Sequence, residues 1–148
     1  MIIEIRDNLF AILLRVSQAR ASSVVIDRLC MSIALIALKT VNSAWPNSIA
    51  DIITFGSTNE HQCSLSLILL KNVCSLFQSQ MWERRLSHQI EEFIREQLSS
   101  VLQFVCSILK QDTLSKECYV QALKAAKNWV SYSTHTFVPN PEFIELIF

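Results

Sequence analysis

The chain has 148 residues, 51% of them apolar and 18% charged, with one glycine and three prolines. With Gly56 as sole glycine, nothing supplies the positive-φ turns of an all-β sandwich or barrel, glycine-rich phosphate loops are excluded, and the apolar content is too high for disorder. Thirteen basic and thirteen acidic residues cancel, leaving no field to draw nucleic acid or an anionic membrane, so an all-α protein remains.

In chain order, residues 2–18 place Ile2, Ile5, Leu9, Ile12, Leu13 and Val16 on one stripe at steps of three and four, the pattern of an amphipathic helix. Serines 22 and 23 offer caps for a second helix over 24–41, whose run through Leu29, Ile33, Leu35, Ile36 and Leu38 predicts cover on several sides. Asn42 to Trp45 break it, Pro46 at a first helical position starts a short helix over 46–55, and Gly56 ends it. Asn59 with Gln62 reads as a capping box for a helix over 61–78.

After a looser stretch at 79–82, a long helix is predicted over 84–110. Its apolar stripe is Leu86, Ile90, Phe93, Ile94, Leu98, Val101, Leu102, Val105 and Leu109. Asp112 or Thr113 caps a helix over 114–132 with an inner stripe of Cys118, Leu123, Ala126 and Val130. A loop at 134–140 leads to Asn140-Pro141-Glu142, the start of a last helix over 141–148. Pair starts near 23, 61 and 114 are 38 and 53 residues apart, which brackets the ~40–47 of HEAT-type repeats. The expected fold is an α-α superhelix, a HEAT or armadillo-like solenoid of three to four helix pairs. It forms a single segment over 1–148 that is expected to be a fragment of a longer array.

The apolar stretch from Leu29 to Leu38 is about half the ~20 residues that span a bilayer, and the acidic start at Glu4 and Asp7 is not that of a signal peptide. Five cysteines form no C-x-x-C pair and sit in helical stretches as small buried hydrophobes, which predicts a reducing compartment. His61, His88 and His135 lie in different segments without the roughly four ligands of a zinc site, so neither metal nor cofactor is expected. Glu91, Glu92, Arg95 and Glu96 have the spacing of a solvated helix face with ion pairs, not of an acid and base couple, and no enzyme is expected. Trp45 at a helix corner and Trp129 late in a helix are expected in the core.

The stretch VIDRLCMSIALIALKTVNSAWPNSIADIITF resembles the early HEAT repeats of the β-karyopherins, the importin-β superfamily of nuclear transport receptors, and within it the branch of importin-13 and transportin-3. The positions that carry the resemblance are Arg28, Leu29, Cys30, Ala34, Ala37 and Leu38, then the corner Trp45-Pro46, then Ile49 and Asp51. Downstream, Leu123, Trp129 and Val130 resemble a helix that ends in W-V. The signature residues are thus Trp45, Pro46, Asp51 and Trp129.

The resemblance implies a non-enzymatic receptor that binds Ran GTPase in its GTP form and protein cargo, passes nucleoporins, and shuttles between nucleus and cytoplasm. It implies no direct contact with nucleic acid or membrane, and it places the first repeats upstream of Met1. It also implies that the second helix of each pair lines the concave side. On the long helix, Glu92, Arg95, Glu96, Ser99 and Gln103 lie opposite Phe93, Leu98 and Leu102, which makes that polar stripe the expected partner-binding surface. The neutral charge departs from the acidic norm of the family. The alternative is a generic α-solenoid adaptor without Ran binding; a third reading, a small helical enzyme or ligand-binding bundle, requires a closed pocket.

Overall fold

A computed structural model describes residues 2–133 of the chain. The loop expected at 134–140 with His135 and the helix expected over 141–148 lie outside the described residues. Among the described residues six helices follow one another: α1 (Ile2–Gln18), α2 (Ser23–Lys39), α3 (Ser48–Gly56), α4 (Glu60–Ser79), α5 (Arg84–Leu109) and α6 (Lys116–Ser133). Among the described residues there is no strand.

Caps set several of these boundaries. The Ser22 hydroxyl accepts the Val25 N–H at 3.4 Å and starts α2. Asn59 Oδ1 accepts the Gln62 N–H at 2.9 Å, and its amide donates to Gln62 Oε1 at 2.8 Å, so the box closes side chain to side chain. For α6 the cap is Ser115, whose hydroxyl accepts the Cys118 N–H at 3.2 Å, and not Asp112 or Thr113. The helix therefore begins at Lys116, two residues later than expected. Pro46 also stands outside its helix: it lies in the turn before Asn47, whose carbonyl accepts the Asp51 N–H, and α3 begins at Ser48.

The α1–α2 connection turns at Arg20, with φ at 56°. The N–H of Arg20 reaches the Ser17 carbonyl and that of Ala21 reaches the Val16 carbonyl at 3.4 Å, the paired bonds of a Schellman ending. Arginine thus holds a left-handed position that usually goes to glycine. Gly56 is the last residue of α3, so the helix ends there as expected, but its φ is not positive and the reason for glycine is a different one. A Cβ built there would lie 2.5 Å from Ser66 Cβ and 3.0 Å from Phe104 Cζ. The glycine lets α3 lie against α4, where Ser66 Oγ donates to the Ile52 carbonyl at 2.9 Å.

Helix α4 is the hub. It packs against α2, α6 and α3, while α5 packs against α6 and touches α3 and α4. The result is two layers, α2–α4–α6 beneath α3–α5, with α1 beside α2. This is the α-α superhelix stacking of a HEAT-like solenoid.

The buried faces differ from expectation in three helices. On α1 the core side chains are Phe10 and Leu13, and Ile5 and Ile12 remain about half exposed at 52% and 46%. The α1 stripe is correct in period but turned, because α2 and α3 meet it on the Phe10 side. On α2 the buried set is Cys30, Ile33, Ala34, Ala37 and Leu38, with Ile36 exposed and Leu29 and Leu35 partly buried. On α6 it is Cys118, Ala122, Ala125, Ala126 and Trp129, while Leu123 and Val130 are only partly buried. Three alanines let α6 approach α4 closely, so small side chains take the inner positions. Helix α5 keeps its expected stripe, with Ile108 added and Leu86 and Phe93 at its margin.

Candidate functional site

Helix α5 is amphipathic along its length. Ile90, Ile94, Leu98, Val101, Leu102 and Val105 are buried, and each fully buried aliphatic side chain contributes about 1.5–3 kcal/mol. That burial fixes the rotation of the helix and therefore which residues face out. Glu92, Arg95, Glu96, Ser99 and Gln103 are all exposed and follow at steps of one, three or four on one side. Arg85 and His88 are exposed at the same spacing and extend the stripe toward the start of α5. The sequence reading missed those two, although the same periodicity reaches them. Arg95 Nη2 meets Glu91 Oε1 at 3.4 Å, an exposed i, i+4 pair worth a few tenths of a kcal/mol. The stripe is thus held in place by the buried face beneath it, with charges available to a partner.

The signature residues build two fasteners. At the corner, Trp45 Nε1–H donates to Asp51 Oδ2 at 2.7 Å, and Asp51 Oδ1 accepts from Arg6 Nη1 at 3.3 Å. Phe10 stacks on Phe55 with centroids 4.6 Å apart and meets Trp45 edge-on at 5.8 Å. This corner ties α1 to α3 and explains why Asp51 stands six residues after the tryptophan. Pro46 itself is exposed. At the other site, Trp129 is fully buried and its Nε1–H donates to the Leu70 carbonyl at 2.8 Å, which joins α6 to α4. Asn128 extends that seam with bonds to Ser75 Oγ at 2.9 Å and to the Lys71 carbonyl at 3.3 Å.

At the other end of the seam, Glu60 Oε1 accepts the Ser115 N–H at 2.7 Å. That bond and the Ser115 hydroxyl hold the Glu60 carboxyl below its ordinary range. Beside it a groove of about 1210 Å³ opens between the ends of α1, α2, α4 and α6, lined by Leu14, Val24, Ile26, Leu65 and Ile68 among others. It is open to solvent, unlike the closed pocket that a ligand-binding bundle requires.

His61 and His88 are exposed, and His61 Nε2 lies 2.8 Å from Ser17 Oγ. Among the described residues no group of three metal-ligating side chains could hold an ion, and no helix is long and apolar enough to cross a membrane. Burial pushes the Cys30 and Cys74 thiols up to about 12, as for small core hydrophobes.

Comparison with known proteins gives two matches. The family described as exportin 1-like protein matches residues 22–148. Importin-13 of Gallus gallus is 25% identical over 118 residues, which cover 76% of this chain and 12% of that protein. The chain therefore spans about an eighth of the length of the curated relative it matches. No solved structure matches it.

Proposed function

The chain belongs to the exportin 1-like family, and from that premise we propose that it is part of a nuclear transport receptor of the importin-13 and transportin-3 branch. In this reading the chain contributes repeats to a longer superhelix that binds Ran in its GTP form and protein cargo, passes nucleoporins, and shuttles between nucleus and cytoplasm. It works by surface complementarity, without a reaction of its own. Small shifts between stacked repeats adjust the curvature of the binding face.

The observation that carries the reading is the two-sided character of α5. Its inner stripe is locked into the stack, and its outer stripe of Glu92, Arg95, Glu96, Ser99 and Gln103 is entirely exposed. A helix built in this way presents a rigid row of charges and hydrogen-bonding groups, which suits recognition of a folded partner. Trp45 and Asp51 support the branch, because their hydrogen bond gives the W-P corner of the resemblance a structural purpose.

The test is a pull-down with the receptor that contains this segment, using Ran loaded with GTP and with GDP. Retention of the GTP form alone is expected. Equal retention of both, or of neither, contradicts Ran recognition. The neutral net charge favours a second reading, a helical adaptor without Ran binding, for which neither form is retained.

A further inference from the structure

Cys63 on α4 and Cys118 on α6 are both buried and face one another across the seam, with their Sγ atoms 3.7 Å apart. Each lies near the start of its helix, three residues after Glu60 and after Ser115 respectively, and the Glu60–Ser115 bond holds the two starts in register. Asn128 and Trp129 fix the same two helices further along. A disulfide needs its sulfurs at about 2.05 Å and its Cβ atoms at roughly 3.8 Å. The sulfurs at 3.7 Å are already in contact and must approach by about 1.6 Å to reach bonding distance. We propose that Cys63 and Cys118 are a redox-modification site, two thiols that join into a reversible disulfide and clamp α4 to α6.

The chemistry with hydrogen peroxide is simple to balance. Both sulfurs are buried, so peroxide meets them when the seam opens, and the first step starts from Cys63, the residue with 7% exposure against 0% for Cys118. Its sulfur attacks one peroxide oxygen, the O–O bond breaks, water leaves with the thiol proton, and a sulfenic acid remains. The Cys118 sulfur then attacks Cys63, the S–O bond breaks, and a second water carries off the Cys118 proton. Two electrons pass from the sulfurs to the peroxide oxygens, and a small thiol restores the pair by exchange.

Burial raises both thiols, Cys63 to about 12, with the nearby Glu60 carboxylate adding to each and Glu117 to Cys118. Because the thiolate is the reacting form, closure is slow at neutral pH and waits on opening of the seam. The bridge closes a loop of 55 residues, which restricts sliding of the two helices and raises the unfolding midpoint by about 5–10 °C.

The experiment takes the full reduced chain, treats it with hydrogen peroxide at pH 8, blocks remaining thiols with iodoacetamide and digests with trypsin without reductant. The expected product is tryptic peptide 40–71 linked to peptide 117–124 within one chain, lost on adding dithiothreitol, together with the raised midpoint. In the C118A variant both the linked peptide and the oxidant-induced rise disappear. Recovery of the two peptides separately, with Cys63 and Cys118 alkylated or over-oxidised, overturns the proposal. So does linkage of either to Cys106 or to a second chain, or a linked product whose midpoint has not moved. If C118A does not fold, the wild-type peptide map alone decides.

Discussion

Helices α4 and α5 are neighbours in sequence, with 20 and 26 residues, yet they bury themselves in opposite ways. Helix α4 is covered on several sides and buries even Ser66 and Asn72, both of which are hydrogen-bonded. Helix α5 buries one stripe and leaves the opposite one to solvent. A side chain on α4 therefore answers to two or three neighbouring helices, whereas one on the outer stripe of α5 answers to none. Substitutions on and around α4 are expected to change stability, and those on outer α5 to change binding alone.

The largest stability effect is expected at the α4–α6 seam. Replacing Trp129 by alanine opens a cavity and removes the bond to the Leu70 carbonyl, at a cost of about 3–5 kcal/mol in chemical denaturation. A loss under about 1 kcal/mol would show that α4 is not the scaffold. Next comes alkaline pH. Cys30, Cys63 and Cys74 are raised to about 12 by burial, against about 8.5 in an unfolded chain. The folded state therefore keeps protons that the unfolded state releases. This contribution is complete below about pH 8.5 and fades as pH rises toward 12, so the melting midpoint should fall steadily above pH 9.

The G56A variant sharpens the comparison at the α3–α4 contact. It should destabilise by about 1–3 kcal/mol despite alanine's better helix propensity, because its Cβ meets Ser66. In an S66G background most of the penalty should disappear, leaving only the contact with the Phe104 ring, and persistence of the full penalty there would place the clash elsewhere. A smaller change of opposite sign is expected at Arg20, where glycine relieves the left-handed backbone and R20G should add about 1 kcal/mol.

Much of this division can be read from the amino acids, and the exceptions have physical causes. The α5 stripe and the Asn59 cap are legible because periodicity and capping are local properties. The rotation of α1 is not, since Phe10 and Ile12 are equally apolar and only the position of α2 and α3 selects Phe10. The inner face of α6 is hidden because alanines are chosen by how closely α4 approaches, not by hydrophobicity. Gly56 reads as a helix stop and α3 does end there, but the need for glycine comes from Ser66, ten residues away, and no local pattern shows it. The partner of the α5 stripe is illegible for a related reason: exposure and charge mark a surface and do not name what docks on it.

The smallest stability effect and the largest functional one should coincide on outer α5. Reversing both charges, R95E with E96R, should leave the unfolding free energy of the chain unchanged to within about 0.5 kcal/mol, because neither side chain is buried. The direct measurement is the affinity of the complete receptor carrying this double reversal for Ran in its GTP form and for cargo, set beside the unaltered receptor. The account predicts at least a tenfold weakening for one of them with folding intact. Unchanged affinity for both would contradict the assignment of the α5 stripe as a binding face.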